Sequence, residues 1–243
     1  MIGGAAFNLR AWIHRSGVAS RRRSAADARA LAEWLRAGRP VPPPHAAKQQ
    51  VVRETAERLG RRILIESGTF LGDMVAAMQA RPARAGAPDD APPTGTSGGI
   101  HAFDAIHTIE LAPHLAAAAK RHFRGDARVV VHQGDSALLL PEILRTIHEP
   151  VVFWLDGHWS AGVTARGDRD TPILAELAAI FAHRCAREHA ILVDDARLFD
   201  GSRDYPTIAE IERRCAAAGV EAVTVVDDVI RIGAAASAVR DRR

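Results

Sequence analysis

The feature that most limits what this chain can fold into is an alternation. From Ile63 onward, short apolar runs (ILIE, AIHTIE, RVVVH, VVFWLD and AILVDD) are separated by segments with the periodicity of amphipathic helices. Apolar runs of that length, each followed by a helix, are what a mainly parallel sheet covered on both faces requires. Each run closes on an acid, or on one shortly after it: Glu66, Glu110, Asp135, Asp156 and the Asp194-Asp195 pair. Open parallel sheets bind ligands beyond the carboxyl ends of their strands, where the strand order reverses. The acids therefore mark the edge at which chemistry is expected.

The intervening segments read as follows. SAADARALAEWLRAG is helical up to Gly38, and the proline run RPVPPPH after it is an extended linker. AAKQQVVRETAERLG is a second helix, with Val51, Val52, Thr55 and Leu59 on one side and Gly60 as its stop. PHLAAAAKRHF follows the second strand, and PEILRTIH is expected to start a helix at Pro141. In DTPILAELAAIFAHRC, Thr171 can cap, and Ile173, Leu174, Leu177, Ile180 and Phe181 form the buried stripe. DYPTIAEIERRCAAAG is a further helix closed by Gly219. AVTVV and VIRI, joined only by Asp227-Asp228, are too close for a crossover helix and form an antiparallel pair. The expected fold is α/β: a Rossmann-like, seven-stranded, mainly parallel sheet with helices on both faces and a C-terminal antiparallel strand. The expected division is a basic extension over 1–44, with its helix and linker, and one domain over 45–243. Residues 81–99, rich in Pro, Gly, Ala and Ser, read as a disordered insertion.

A chain of 243 residues, 47% hydrophobic, can bury the core of one large α/β domain. Five arginines and no acid lie between Met1 and Ala26, but the net charge is only +3, so a nucleic-acid partner is not implied. A solvated basic extension accounts for the arginines better than a targeting or membrane-surface segment. No apolar run is long enough to span a bilayer. Cys185 and Cys215, both within helical patterns, are too few and too isolated for a disulfide framework or a zinc site. The default is a cytoplasmic protein, with a homodimer allowed.

The strongest local motif is ESGTFLGD, Glu66 to Asp73. Gly68 and Gly72 frame a strand-to-helix turn around Thr69, where a ligand can approach the backbone and free N–H groups. An acid about 20 residues beyond such a turn can accept the hydroxyls of a ribose, and Glu110 falls near that spacing once the 81–99 insertion is removed. The dinucleotide fingerprint GxGxxG is absent. S-adenosylmethionine, which has no pyrophosphate to cradle, suits the turn better than NAD.

With its acidic second strand end, its GDS third strand end and its closing hairpin, the chain resembles the class I S-adenosylmethionine-dependent methyltransferases. The blocks FWLDGHWSAG, DTPILAEL, ILVDDARLF and DYPTIAEI resemble an uncharacterised bacterial group of that fold, over roughly four-fifths of the chain. The resemblance implies that Glu66, Gly68 and Gly72 line the methionine portion of the cofactor, Glu110 the ribose, and Asp135 and Ser136 the adenine edge. Asp156 would lie nearest the sulfonium and the acceptor.

Adjacent carboxylates such as Asp194 and Asp195 repel unless a cation or donor sits between them. Together with Asp156 they resemble the Mg²⁺ ligands of macrocin-type and catechol-type O-methyltransferases, an oxygen-only set that suits this ion. In that reading His158 takes the proton of the acceptor hydroxyl and Arg197 neutralises an anionic substrate or the carboxylates. The alternative is that one acid caps a turn while the other pairs with Arg197. Trp159 and the loop 160–171 are candidates for acceptor contact. A metal-independent methyltransferase and a non-catalytic binding module remain as rival readings.

Overall fold

A computed structural model describes residues 17–79, 103–157, 171–220 and 222–240. The insertion expected at 81–99 and most of the basic stretch before residue 17 lie outside the described residues. Among the described residues, eight α-helices and seven strands follow in the order α1 (Gly17–Arg36), α2 (His45–Leu59), β1 (Ile63–Ser67), α3 (Asp73–Gln79), β2 (Ala105–Glu110), α4 (Pro113–Phe123), β3 (Val129–Gln133), α5 (Ser136–Leu144), β4 (Val152–Leu155), α6 (Ile173–Phe181), β5 (Ala190–Val193), α7 (Ile208–Ala217), β6 (Val223–Val226), β7 (Val229–Gly233) and α8 (Ala234–Arg240), with a short 3-10 turn at Ala196–Leu198.

The strands form one sheet in the order β3-β2-β1-β4-β5-β7-β6. The first five are parallel, and β7 is antiparallel to both β5 and β6. This is the expected Rossmann-like, mainly parallel sheet with a C-terminal antiparallel strand. The chain winds outward from β1 to β3, then returns to place β4 on the other side of β1. The β1/β4 boundary is thus where strand order reverses.

Both faces of the sheet are covered. Ile65, Phe153, Leu155 and Ile191 pack with Ile143, Leu144, Leu177 and Ile211 of α5, α6 and α7. Leu64, Ile106, Trp154 and Leu192 pack on the opposite face with Val52, Val75, Phe123 and Ala235 of α2, α3, α4 and α8. Strands β4 and β5 are fully buried, which is why their sequences are continuous apolar runs rather than alternating ones.

Three local expectations change. Pro141 does not begin a helix: α5 starts at Ser136, capped by Asp135, whose side chain accepts from Ala137 N–H, and Pro141 lies inside. The third strand end is so close to Asp135 that the cap takes precedence over the later proline. Helix α6 ends at Phe181, and Cys185 sits in the turn after it. The buried stripe of α2 is rotated, with Ala47, Lys48, Val52, Thr55 and Ala56 inside and Val51 and Leu59 half-buried. Helix α1 packs along α2, and Trp34 is buried there. No described helix is long and apolar enough to cross a membrane.

Candidate active site

The carboxyl edge of β1 and β2 holds its acids with neutral donors. Glu66, buried within β1, accepts a 2.5 Å hydrogen bond from the Thr108 hydroxyl, which in turn is bonded to the Thr69 hydroxyl at 2.5 Å. Burial pushes the Glu66 carboxyl up to about 8, against the Thr108 bond that favours its charge. Glu110 accepts from the backbone N–H of Phe70 at 2.8 Å and of Ala112 at 2.9 Å, which pins the glycine turn to the end of β2. Both glycines have positive φ, and each meets another part of the chain closely. A Cβ on Gly68 would overlap the Asp156 carbonyl, and one on Gly72 would lie 2.7 Å from the Phe123 ring. The glycines expected to admit a ligand are therefore needed by the packing as well.

At the switch point, α6 delivers a residue absent from the expectations above. Glu176 is 1% exposed, although it lies among the apolar residues of α6, and burial pushes its carboxyl up to about 7. The Ser67 and Ser136 hydroxyls near it oppose that shift. Even so, neither Glu176 Oε1 nor Ser67 Oγ makes a hydrogen bond of normal geometry. Both atoms face the bare Cα of Gly157: a Cβ there would lie 3.1 Å from Ser67 Oγ and 3.5 Å from Glu176 Oε1. Two buried polar atoms without partners, meeting where the strand order reverses, are what a bound polar ligand would satisfy. Asp135 and Ser136 border this spot from the N-terminus of α5. Leu138, one turn along that helix, is 71% exposed, and Phe70 is 39% exposed on the glycine turn.

Beyond β4 and β5 the acids are held by cations. Oxygens of Asp156, Asp194 and Asp195 lie within 4.8 Å of one another. The Lys48 ammonium, carried in from α2, is 2.5 Å from Asp194 Oδ2 and 3.2 Å from Asp195 Oδ1. Burial and the nearby Asp156 charge push Asp194 up to about 7, while Lys48 works against them. Lys48 itself is raised above its ordinary value, because Asp194, Asp195 and Asp156 outweigh the opposing effect of burial. Arg197 bonds Asp195 Oδ1 at 2.9 Å and is also paired with Asp228, whose Oδ1 accepts the Arg197 backbone N–H. Asp228 and Asp227 both have positive φ, the geometry of a two-residue I′ hairpin turn. The pairing of Arg197 with an acid of the Asp194-Asp195 pair is thus present, and Asp194 Oδ1 caps the Asp195 N–H at 2.7 Å.

No family model matches the chain, and no curated protein matches it in sequence. Among solved structures, the chain is similar to an SAH-bound methyltransferase from Podospora anserina at 17% identity and TM-score 0.47, over 96% of this chain and 99% of that one. It is similar to the O-methyltransferase TomG from Streptomyces achromogenes, in complex with SAM, at 17% identity and TM-score 0.46, over 85% and 87%. An O-methyltransferase from Bacillus cereus in complex with SAH is similar at 16% identity and TM-score 0.44, over 86% and 90%. The fold itself is read from the strand order and register.

The structure thus brings together Asp156, Asp194, Asp195 and Arg197, and separately Glu66, Thr69 and Glu110 around Thr108 and the glycine turn. His158, Trp159 and the loop to residue 170 lie outside the described residues. Sequence reasoning missed Lys48, Glu176, Ser67 and Asp228. Two of these left a signal: Lys48 stands one helical turn before Val52, and Glu176 stands three residues after Ile173 on the apolar stripe.

Proposed function

We propose that this protein is an S-adenosylmethionine-dependent methyltransferase acting on a hydroxyl of a small molecule or sugar. The observation that carries the reading is the pair of unpartnered buried atoms, Ser67 Oγ and Glu176 Oε1, at the switch point of a sheet with methyltransferase topology. The Glu176 carboxyl in its ionised form and the Ser67 hydroxyl would suit the ammonium of an amino-acid portion. Gly68, Thr69 and Gly72 would follow the methionine chain, with Glu66 in the layer beneath. Glu110 retains lone pairs for ribose hydroxyls beyond its two backbone bonds. Asp135, Ser136 and the exposed Leu138 would border the adenine, and Asp156 the transfer region. The cofactor, when bound, supplies an electrophilic methyl group on a sulfonium.

Asp156, Asp194 and Asp195 would hold Mg²⁺, a hard cation suited to three converging carboxylates, whose contribution is to lower the pKa of a coordinated hydroxyl. His158, two residues past Asp156, is the base of this reading, and Arg197 holds Asp195 in place.

Lys48 favours a second, metal-independent reading. Its ammonium already lies against two of the three acids and answers their mutual repulsion without an ion. Asp156 or His158 would then act alone on the acceptor proton.

Calorimetric titration with S-adenosylmethionine and S-adenosylhomocysteine tests the proposal. Saturable binding of both is expected, and absence of binding by either overturns it. Loss of methyl transfer in EDTA, restored by Mg²⁺, favours the metal reading over the Lys48 one.

A further inference from the structure

A cavity of about 320 Å³ lies between α1, α2 and the β6–β7 hairpin, beside the acidic centre rather than within it. Its walls divide by chemistry. Leu31, Trp34, Val51, Val226 and Val229 are apolar. The indole N–H of Trp34 is satisfied by the Pro40 carbonyl at 2.8 Å, and the Arg39 guanidinium stacks 5.2 Å from the ring centroid. The ring is therefore held as a flat wall.

The opposite wall is cationic. Arg231 of β7 lines the cavity, and its Nε is buried with no hydrogen-bond partner. Thr224 lies directly across from it on β6, so both side chains project to the same face, and Thr224 Oγ1 is likewise buried without a partner. Burial lowers the Arg231 pKa, and the charges of Arg58 and Arg39 lower it further, while Asp227 and Glu54 oppose them. Asp227 is itself engaged by Arg39, and Glu54 accepts from Gln50. A buried guanidinium N–H without a partner, lining the cavity among further arginines, calls for an anionic acceptor.

We propose that this cavity binds an amphipathic organic anion, its carboxylate or other oxyanion on Arg231 and its apolar body against Trp34 and the valines. Lys48 also lines the cavity while its ammonium touches Asp194 and Asp195, so the occupant lies next to the acidic centre. That it is the methyl acceptor rests on the methyltransferase reading; that it binds does not.

The test uses anilinonaphthalene sulfonate, a fluorescent apolar anion, and N-phenylnaphthylamine, its uncharged counterpart, on the full chain. The sulfonate should bind one site, weakened about tenfold in Arg231→Met and less in Arg231→Lys, as loss of a charge-assisted contact predicts. The neutral dye should lose less than about twofold in the same variants. Leu31→Glu, at a half-buried position on the α1 wall of the cavity, should weaken both dyes and serves if Arg231→Met does not fold. Sulfonate binding unchanged by both substitutions, or equal losses for the two dyes in Arg231→Met, overturns the site. Arg231-dependent sulfonate binding in a protein that takes up no S-adenosylhomocysteine keeps the site and overturns its role as an acceptor site.

Discussion

The two halves of the carboxyl edge solve the same electrostatic problem in different ways. Around β1 and β2, Glu66 and Glu110 are satisfied by hydroxyls and backbone N–H groups, and no lysine or arginine takes part among the bonds to them. Around β5 and β7, Asp194, Asp195 and Asp228 are satisfied by Lys48 and Arg197. Neutral donors cancel no charge, and Glu110 keeps lone pairs beyond its two backbone bonds. Cations cancel that charge, so an added metal must either displace Lys48 or share the acids with it. The same residue type at equivalent strand ends is thus held by neutral donors in one half and by cations in the other.

The largest expected effect tests how far the two halves depend on one contact. At Gly68 the obstruction is backbone, the Asp156 carbonyl, and φ is +87°, so Gly68→Ala should cost about 4 kcal/mol or more and leave little folded protein on thermal melting. Gly72→Ala meets only a side chain, the Phe123 ring, and should melt distinctly higher than Gly68→Ala. Equal melting of the two variants would break the inference that β1 and β4 are locked together at Gly68.

Next in size is Lys48→Met, which removes the cation from one half only. Uncompensated buried carboxylates should destabilise the protein by about 3–5 kcal/mol. Mg²⁺ should raise the melting temperature of this variant more than that of the wild type if the triad is a cation site. An equal response to Mg²⁺ in both proteins would count against the metal reading and leave the lysine as the permanent counter-charge.

The smallest effect concerns pH in the neutral-donor half. Glu66 is pushed up to about 8 from an ordinary value of 4.5, so the native state holds a proton that the unfolded chain releases. Stability should therefore be greatest below the unfolded value, fall as pH rises through that window, and level off above about 8. Glu66→Gln keeps an acceptor for the Thr108 hydroxyl and removes this contribution. Between pH 6 and 8, urea unfolding should show the wild type losing up to about 1.4 kcal/mol per pH unit more than the variant. Parallel curves would place the Glu66 proton elsewhere.

The parts of the molecule that were legible in the sequence are those set by local pattern. A buried parallel strand must be apolar along its whole length, so VVFWL and AILV announced β4 and β5, and the acids after them marked the carboxyl edge of the sheet. The turn at Gly68 and the closing hairpin follow the same logic, whereas the capping of α7 by Thr207, whose side chain accepts from Glu210 N–H, is seen only in the structure. Where two local signals competed, at Asp135 and Pro141, the capping acid prevailed and the proline was absorbed within the helix.

What only the tertiary structure decided is which charge answers which. Lys48 reaches Asp194 across 146 residues of chain, and Arg197 reaches Asp228 across 31. Nothing within a helical or strand period links such positions, because the energy of an ion pair depends on distance through space and on burial, not on separation along the chain. The sequence by itself determined a doubly covered parallel sheet with a row of carboxylates at one edge. Only packing α2 and α6 over that edge assigned Lys48 to the acid pair and brought the buried Glu176 beside Ser67 and Gly157.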